Sequence, residues 1–340
     1  MVRLIKPSAL LIVLLIALPL CLLLAIGTGP AELSPSDIFA ALWQEDNQSS
    51  LIVQQIRIPR ALLALSVGGI LAICGTAMQG LFRNPLADPS LIGVSGGALA
   101  GASFAIVLGE GLLVSHGIGS LSLVAFAAFL GGAFCALFVY KLATGPDGTS
   151  VATMLLAGIA ITALAGAVNH LLEFFASNDM LRRISLWQMG GLDGASWPRV
   201  TLAMITLIIL VSRLPQHATA LNALLLGESE ARHLGIKVQT LKIELILLAA
   251  FGVGLVVALA GTIAFVGLVI PHLIRLLIGP DHRFLLPCAA CAGAVLLLLA
   301  DTFARVIIAP SELPIGIVTA AIGAPFFISL LRRRHQYGMQ

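Results

Sequence analysis

The chain has 340 residues, of which 59% are apolar and only 10% are Asp, Glu, Lys or Arg, and its mean hydropathy is +1.05. An average soluble domain carries roughly 25% charged residues, so this composition cannot build a water-compatible surface. Disordered, nucleic-acid-binding and disulfide-scaffold proteins are excluded too, because they need abundant charge, clustered basic residues or paired cysteines. The net charge of +3 identifies no acidic partner. The sequence therefore predicts an all-α polytopic membrane protein.

Long uncharged runs along the chain predict the spanning helices, since a helix needs about 20 apolar residues to cross the hydrocarbon core. The run 245–274 would extend about 45 Å as one helix, more than a core of about 30 Å, and Gly261-Thr262 inside it permits a break. Dividing this run predicts ten helices in a single transmembrane domain, 1–340. Their expected bounds are 8–26, 61–82, 89–109, 120–141, 149–173, 197–213, 243–260, 262–278, 284–301 and 313–331.

The first run, 8–26, follows Arg3 and Lys6 as a secretory signal peptide would. It lacks a convincing A-x-A-like cleavage site and is long enough to span, so it is interpreted as the first helix. With ten helices, both termini lie on one side of the membrane, together with thirteen of the 19 lysines and arginines. The positive-inside rule then predicts that both termini are cytoplasmic.

The five cysteines lie within or at the edges of apolar runs, where a thiol behaves as a small hydrophobe. Cys288 and Cys291 form a C-x-x-C pair. No second pair and no βαβ pattern accompanies it, so packing is favoured over a zinc or redox site.

The longest polar stretch on the predicted cytoplasmic side, 214–242, is expected to form a compact helical segment. Gly227 and Gly235 end two short helical pieces, and Gly235 can adopt the left-handed conformation of a helix cap. The leucines 224–226 would otherwise be a water-exposed apolar patch, which typically marks an interaction site. A partner-docking role is therefore favoured over an ordinary solvated loop.

Six short motifs follow one another along the chain. They are Ile58-Pro59-Arg60, Gly75-Thr-Ala-Met-Gln79, Asn84-Pro-Leu-Ala-Asp-Pro89, Leu226-Gly-Glu228, Ala264-Phe-Val-Gly-Leu-Val-Ile-Pro-His272 and Glu312-Leu-Pro-Ile-Gly316. Over nearly the whole chain, these motifs resemble the FecCD-type permeases, the membrane subunits of ABC importers for iron-siderophores, haem and vitamin B12. Haem permeases are the expected nearest relatives, with ferric siderophore and vitamin B12 as alternative cargoes.

The resemblance implies a homodimer of ten-helix subunits with inverted repeats in the bacterial inner membrane. The implied partners are a second copy of the chain, two cytoplasmic ATPase subunits, a periplasmic binding protein and the lipid bilayer, with no nucleic acid. No G-x-x-x-x-G-K-[ST] phosphate loop occurs in the sequence, so another chain is expected to hydrolyse ATP with Mg²⁺. This chain is expected to hold no stable cofactor and no metal, and haem is expected as its transported substrate.

The resemblance also assigns residues to the coupling segment and the gate. Residues expected to couple the permease to the ATPase are Leu224, Leu225, Leu226, Gly227, Glu228, Ala231 and Gly235. Residues expected to form the cytoplasmic gate are Asn84, Leu86, Thr149 and Ser150. These residues can also have local structural roles, since Asn-Pro favours a turn and Thr-Ser favours a helix cap. Such roles are compatible with a place in the gate.

On the opposite face, the resemblance implies that Arg57, Arg60 and Arg305 dock glutamates of the binding protein. Their planar guanidinium groups suit carboxylates. Contact with lipid headgroups, or snorkelling of the long side chains, is the alternative.

The predicted fifth helix and the residues after it are expected to line the substrate pathway. These residues are His170, Glu173, Met180, Arg182 and Arg183. Arginines suit the propionates of haem, and histidine or methionine can touch its iron in passing. The arginines could alternatively anchor the helix end at the membrane interface.

An intramembrane enzyme built on His170, Glu173 and His272 is the alternative from another class. His170 and Glu173 are three residues apart and share a helical face. Neither H-E-x-x-H nor its inverse occurs, so this alternative is disfavoured.

Overall fold

The computed structural model describes residues 4–43, 48–109, 120–146 and 148–336. Helices dominate these ranges, and the one strand pairing within them is the short hairpin of β1 (Thr144–Gly145) and β2 (Gly148–Thr149). This confirms the predicted all-α class.

The helices are named here in chain order. They are α1 (Pro7–Gly27), α2 (Pro35–Ala41), α3 (Gln48–Leu51), α4 (Ile58–Leu81), α5 (Val94–Leu108), α6 (Ser120–Ala143), α7 (Val151–Phe175), α8 (Asn178–Gln188), α9 (Trp197–Arg213), α10 (Ala218–Leu224), α11 (Glu228–His233), α12 (Val238–Ala260), α13 (Val266–Ile278), α14 (His282–Val306) and α15 (Ile315–Gln336). A π-helical stretch, Ile52–Arg57, joins α3 to α4, and 3₁₀ turns occupy Pro89–Ile92 and Leu214–His217.

Seven helical segments in the described ranges are long and apolar enough to cross a bilayer, and three shorter apolar helices, α5, α13 and the first part of α15, accompany them. Several of the expected boundaries differ from the observed ones, and two of these differences are informative. The helix expected from residue 89 begins at Val94, because Pro89–Ile92 is a 3₁₀ turn and Gly93 after it has φ +83°. The expected 214–242 segment overlaps α12, whose first turns are already buried at Leu241 and Lys242.

Helix α4 lies at the centre of the bundle. Most of its residues are buried, and it packs against α9, α12, α13 and α14. Two glycines permit the closest approaches: a Cβ on Gly68 would overlap the backbone of Gly293 in α14, and a Cβ on Gly75 would overlap that of Gly267 in α13. Small residues let helix backbones touch in lipid, where the hydrophobic effect between helices is absent. These contacts therefore set the positions of α13 and α14 around α4.

The peripheral helices expose large apolar side chains. On α7, for example, Leu156, Leu164 and Phe174 are exposed in the single chain. α1, α6 and α9 have similar exposed faces. Such faces suit lipid or a second subunit rather than water.

The glycine contacts of α4 give a first testable prediction. Gly75→Ala is expected to destabilise the protein by roughly 1–3 kcal/mol or more, because the added methyl group cannot fit against the backbone of α13. Thermal unfolding of the detergent-purified protein measures the loss. Gly166→Ala in α7 is the matched control, since nothing lies within 4 Å of its Cβ position; it is expected to stabilise by about 0.5–1 kcal/mol through helix propensity. Equal unfolding temperatures for the two variants would contradict this packing analysis.

Candidate transport and coupling sites

The two ends of the bundle carry different polar clusters. One end, named the coupling end, holds α10, α11 and the β1–β2 hairpin. The other, named the opposite end, holds the start of α4 and the end of α14. This follows from the chain direction, since α4 runs toward α10 and α14 runs away from it.

At the opposite end, one carboxylate holds two arginines. Oδ1 of Asp301 accepts a hydrogen bond from Nε of Arg60 at 2.9 Å, and its Oδ2 accepts one from Nε of Arg305 at 3.0 Å. Glu312 accepts a further bond of 2.6 Å from Arg60. Asp301, Arg60 and Arg305 are all buried, and hydrogen-bonded pairing is what makes such buried charges tolerable.

The remaining guanidinium donors reach the C-terminus of α1. Arg57 donates to the carbonyl oxygens of Ile26 and Gly27, and Arg305 donates to those of Ala25 and Thr28. The last carbonyls of a helix lack partners within the helix and lie at the negative end of its dipole. The arginines thus satisfy these carbonyls and attach α1 to α4 and α14.

Arg57, Arg60 and Arg305, which the sequence analysis expects to dock a binding protein, are the internal links of this arrangement, and the docking role stays a prediction. All three are buried, and their donors already serve carboxylates and carbonyls of the same chain. The pairing was missed because Asp301 and Glu312 are far from Arg60 in sequence. Glu312 alone keeps part of its side chain exposed in this cluster.

The end of α7 carries the predicted pathway residues His170 and Glu173. Nδ1 of His170 lies 3.0 Å from Oε2 of Glu173. The other carboxylate oxygen accepts bonds from Asn169 at 2.8 Å and from Gln188 of α8 at 3.0 Å. The carboxylate is therefore fixed in place, and the exposed imidazole is oriented by it. With Nδ1 donating to Glu173, Nε2 of His170 keeps a lone pair facing outward.

The other predicted pathway residues lie on α8 and diverge. Met180 is half-buried and packs against the apolar core, whereas Arg182 and Arg183 are exposed. Arg183 lines a cavity, and Arg182 is absent from the described lining of that cavity. The role expected of these three residues in the substrate pathway stays a prediction.

The coupling end contains the predicted docking segment. Gly227 and Gly235 both have positive φ, +125° and +83°, as a helix-ending glycine requires. Leu225 and Leu226 are exposed, at 42% and 69%.

Two residues expected to dock the partner are instead internal. Leu224 is 1% exposed and Ala231 is fully buried. Both side chains belong to the apolar core that holds α10 and α11 against the bundle. The expectation that Leu224 is exposed is therefore wrong, because α10 turns this side chain toward the bundle.

Lys242 connects the predicted coupling and gate residues. Its buried ammonium group lies 2.8 Å from Oε1 of Glu228 in α11 and donates to the carbonyl oxygen of Thr149 at 2.8 Å. The Thr149 hydroxyl also bonds to Gln239 of α12 and to Thr144 of β1. Lys242 thus links α11 directly to the hairpin before α7.

A second link joins α10 to the start of α14. The Asn222 amide donates to Asp281 at 2.7 Å, and its Oδ1 accepts from the backbone N–H of His282 at 2.9 Å. The buried His282 ring adjoins Gly80, where a Cβ would come within 2.6 Å of Nε2. α4, α10 and α14 therefore meet at this point.

The expected gate residues Asn84 and Ser150 make local contacts as well. Oδ1 of Asn84 accepts a hydrogen bond of 3.0 Å from the backbone N–H of Leu86, which forms a turn. The Ser150 side chain accepts from the backbone N–H of Thr153 at 3.3 Å and caps α7.

The sequence analysis missed the partners that complete these sites. Asp301, Asn169, Gln188, Lys242 and Asn222 were not recognised as the partners of the site residues. Asp301, a charged residue at the end of an apolar run, was the available signal, since such residues are costly in a membrane unless paired.

Seven candidate spanning helices and three shorter apolar helices in the described ranges define a polytopic membrane protein. The FecCD transport family matches residues 14–333. The chain belongs to this family of transport permeases of ABC importers. The FecCD assignment of the sequence analysis is confirmed, and the intramembrane enzyme hypothesis is set aside.

Several known relatives are similar along most of their length. The hemin transport system permease protein HmuU of Yersinia pestis is 42% identical over 93% of this chain and 95% of its own. The vitamin B12 import system permease protein BtuC of an Escherichia coli strain is also 42% identical, over 92% and 91%. A solved inward-facing conformation of a metal-chelate type ABC transporter aligns with a TM-score of 0.85 and 33% identity, covering 96% of this chain and 99% of that one.

The Asp301 cluster gives a second prediction. Asp301→Ala leaves Arg60 and Arg305 without their shared buried carboxylate, so a loss of about 3–5 kcal/mol in the free energy of unfolding is expected. Thermal unfolding of the purified protein measures it. Glu312→Gln, which alters the partly exposed carboxylate of the same cluster, is expected to cost about 1 kcal/mol or less. An Asp301→Ala protein as stable as the Glu312→Gln protein would contradict the central role of Asp301.

Proposed function

We propose that this permease moves haem from a periplasmic binding protein to the cytoplasm, driven by ATP hydrolysis in separate ATPase subunits. The observation that carries the proposal is the exposed imidazole of His170, oriented by Glu173 on an otherwise apolar face of α7. A fixed imidazole offers the iron a nitrogen ligand, and the surrounding face accepts the flat apolar ring. The similarity to the hemin permease supports the same cargo.

Vitamin B12 is the second candidate cargo. The cobalamin permeases are as similar to this chain as the hemin permease is, at 42% identity for the Escherichia coli protein. Ferric siderophores, which other members of the family carry, are the third candidate cargo. Fold alone does not choose among cargoes, because the choice depends on a few side chains along the pathway.

The functional unit in this proposal is a homodimer with two ATPases, in the bacterial inner membrane with both termini cytoplasmic. The exposed apolar face of α7 is the surface we assign to the pathway between the two copies. Small residues on that face, such as Ala163, Gly166 and Ala167, leave space for a bulky cargo.

The coupling end would seat on the ATPase through Leu225 and Leu226, with Gly227 and Gly235 shaping the turns. Glu228, Lys242 and Thr149 would carry the movement to the gate formed by Asn84, Leu86, Thr149 and Ser150. The hydrogen bonds of Lys242 to both elements support this path.

Coupling through the exposed leucines gives a third prediction. Leu226→Asp is expected to weaken ATPase binding by at least about tenfold, because a charge replaces apolar surface at the contact. Co-purification of the ATPase with the permease measures the change, and gel filtration of the permease checks its folding. Ser212→Asp, also exposed on the coupling side but outside α10 and α11, is the control. Full ATPase binding by Leu226→Asp would contradict the assignment.

Haem transport gives a fourth prediction. In proteoliposomes, the double variant Arg182→Ala and Arg183→Ala is expected to lose most haem uptake, since the propionates lose their cationic partners. ATPase activity and binding of the binding protein are measured in parallel and are expected to persist. Normal haem uptake by the variant would contradict the role of these arginines. A wild-type protein that carries vitamin B12 or a ferric siderophore but no haem would contradict the cargo itself.

A further inference from the structure

A half-open cavity of about 450 Å³ lies at the opposite end of the bundle, between α8, the start of α9 and the end of α12. Its walls are largely apolar and include the Trp187 ring. Its ionisable lining side chains in the described chain are Arg183, Arg199 and Asp193. Two guanidinium groups and one carboxylate leave the cavity with one net positive charge.

The two arginines are held differently. Nη1 of Arg199 donates to the carbonyl oxygen of Leu259 at 3.3 Å, in the last turn of α12, and Asp193 interacts with it electrostatically. Arg183 has neither a hydrogen bond nor an ion pair with any residue of the described ranges. Arg199 is thus fixed at the wall, while the Arg183 guanidinium is available to a ligand.

Glycines keep the cavity open around these charges. A Cβ on Gly194 would overlap the guanidinium group of Arg199, and one on Gly191 would lie 2.6 Å from Oδ1 of Asp193. Gly261, at φ +67°, brings the end of α12 against Trp187 in a backbone conformation that other residues rarely adopt. The positions of the Arg199 and Asp193 side chains therefore require glycine at the neighbouring positions 191 and 194.

Two arginines beside an indole ring recognise a particular ligand chemistry. Guanidinium groups form charge-assisted, often bidentate hydrogen bonds with carboxylates and phosphates. The indole face and the apolar walls suit a flat or aliphatic body attached to the anion. The cavity thus fits the anionic end of an amphipathic molecule.

We propose that the cavity lined by Arg183, Arg199 and Trp187 binds the anionic group of an amphipathic ligand at the opposite end of the permease. The anion is either a carboxylate of the cargo or the phosphate of a membrane lipid. The cargo source rests on the proposed haem transport, whereas the lipid source does not. Asp193 competes with the ligand for Arg199, which keeps binding reversible.

Tryptophan fluorescence tests the proposal directly. The sequence has three tryptophans, so Trp43→Phe with Trp197→Phe leaves Trp187 as the only emitter. The full-length permease is reconstituted in phosphatidylcholine vesicles, and quenching of Trp187 is titrated with haem and with haem dimethyl ester, which has no carboxylates. In separate vesicles, bromine-labelled phosphatidylglycerol, which carries a charged headgroup, is compared with bromine-labelled phosphatidylcholine.

If the site binds the cargo, haem is expected to quench Trp187. The apparent Kd for haem is expected to be about tenfold higher in Arg183→Gln and in Arg199→Gln than in the parent protein, and the parent protein is expected to bind the ester about tenfold more weakly than haem. Binding of lipid predicts stronger quenching by brominated phosphatidylglycerol than by brominated phosphatidylcholine, a difference lost in both variants. Arg213→Gln, which alters an exposed arginine at the coupling end of α9 outside the described lining, is expected to retain the quenching of the parent protein. Asp193→Asn is expected to tighten binding, which a merely structural role of this residue would not do.

If haem and brominated phosphatidylglycerol each quench Trp187 equally in the parent protein, in Arg183→Gln and in Arg199→Gln, the proposed site is wrong. Because Arg183 has no partner in the described chain, its variant keeps the test valid even if Arg199→Gln fails to fold. Haem uptake by the wild-type transporter is measured separately. If haem is taken up but quenching does not depend on the two arginines, only the proposed binding site is rejected. If haem is not taken up, haem is rejected as the cargo, and the comparison of the two lipids still tests the site.

Discussion

The structure depends on direct backbone contact between helices at α4. Lipid is as apolar as the helix surfaces, so burial from water cannot hold membrane helices together; close packing must. Gly68 and Gly75 place α4 against α14 and α13 with no side chain between the backbones. With α13 and α14 fixed in this way, the polar groups at both ends of these helices are brought within hydrogen-bond distance of each other.

The polar clusters act as cross-links at the two ends of an apolar bundle. At the opposite end, Asp301 joins α4 to its own helix, and the arginines extend the connection to α1. At the coupling end, Lys242 and Asn222 attach the short helices α11 and α10 to the long ones. Buried polar groups fix geometry because their desolvation is costly unless every partner is in place. These cross-links therefore fix the helices of the described chain relative to one another.

Membership in the FecCD transport family identifies the type of transporter but not its transported substrate. Relatives named for hemin and for vitamin B12 share the same 42% identity with this chain. Fold alone does not choose a cargo, and among the residues proposed to contact it, His170 is exposed while Arg183 and Arg199 line a cavity.

The sequence by itself determined the features that are local. Apolar runs predicted the helical segments, because crossing lipid requires a length of apolar helix. Gly235 and Ser150 predicted a helix end and a helix cap, because both are decided within four residues. Only the tertiary structure decided that Arg57, Arg60 and Arg305 are internal and that Leu224 faces the core. The partners of Arg60 lie 241 and 252 residues away, and no local pattern encodes which distant carboxylate a helix will bring alongside.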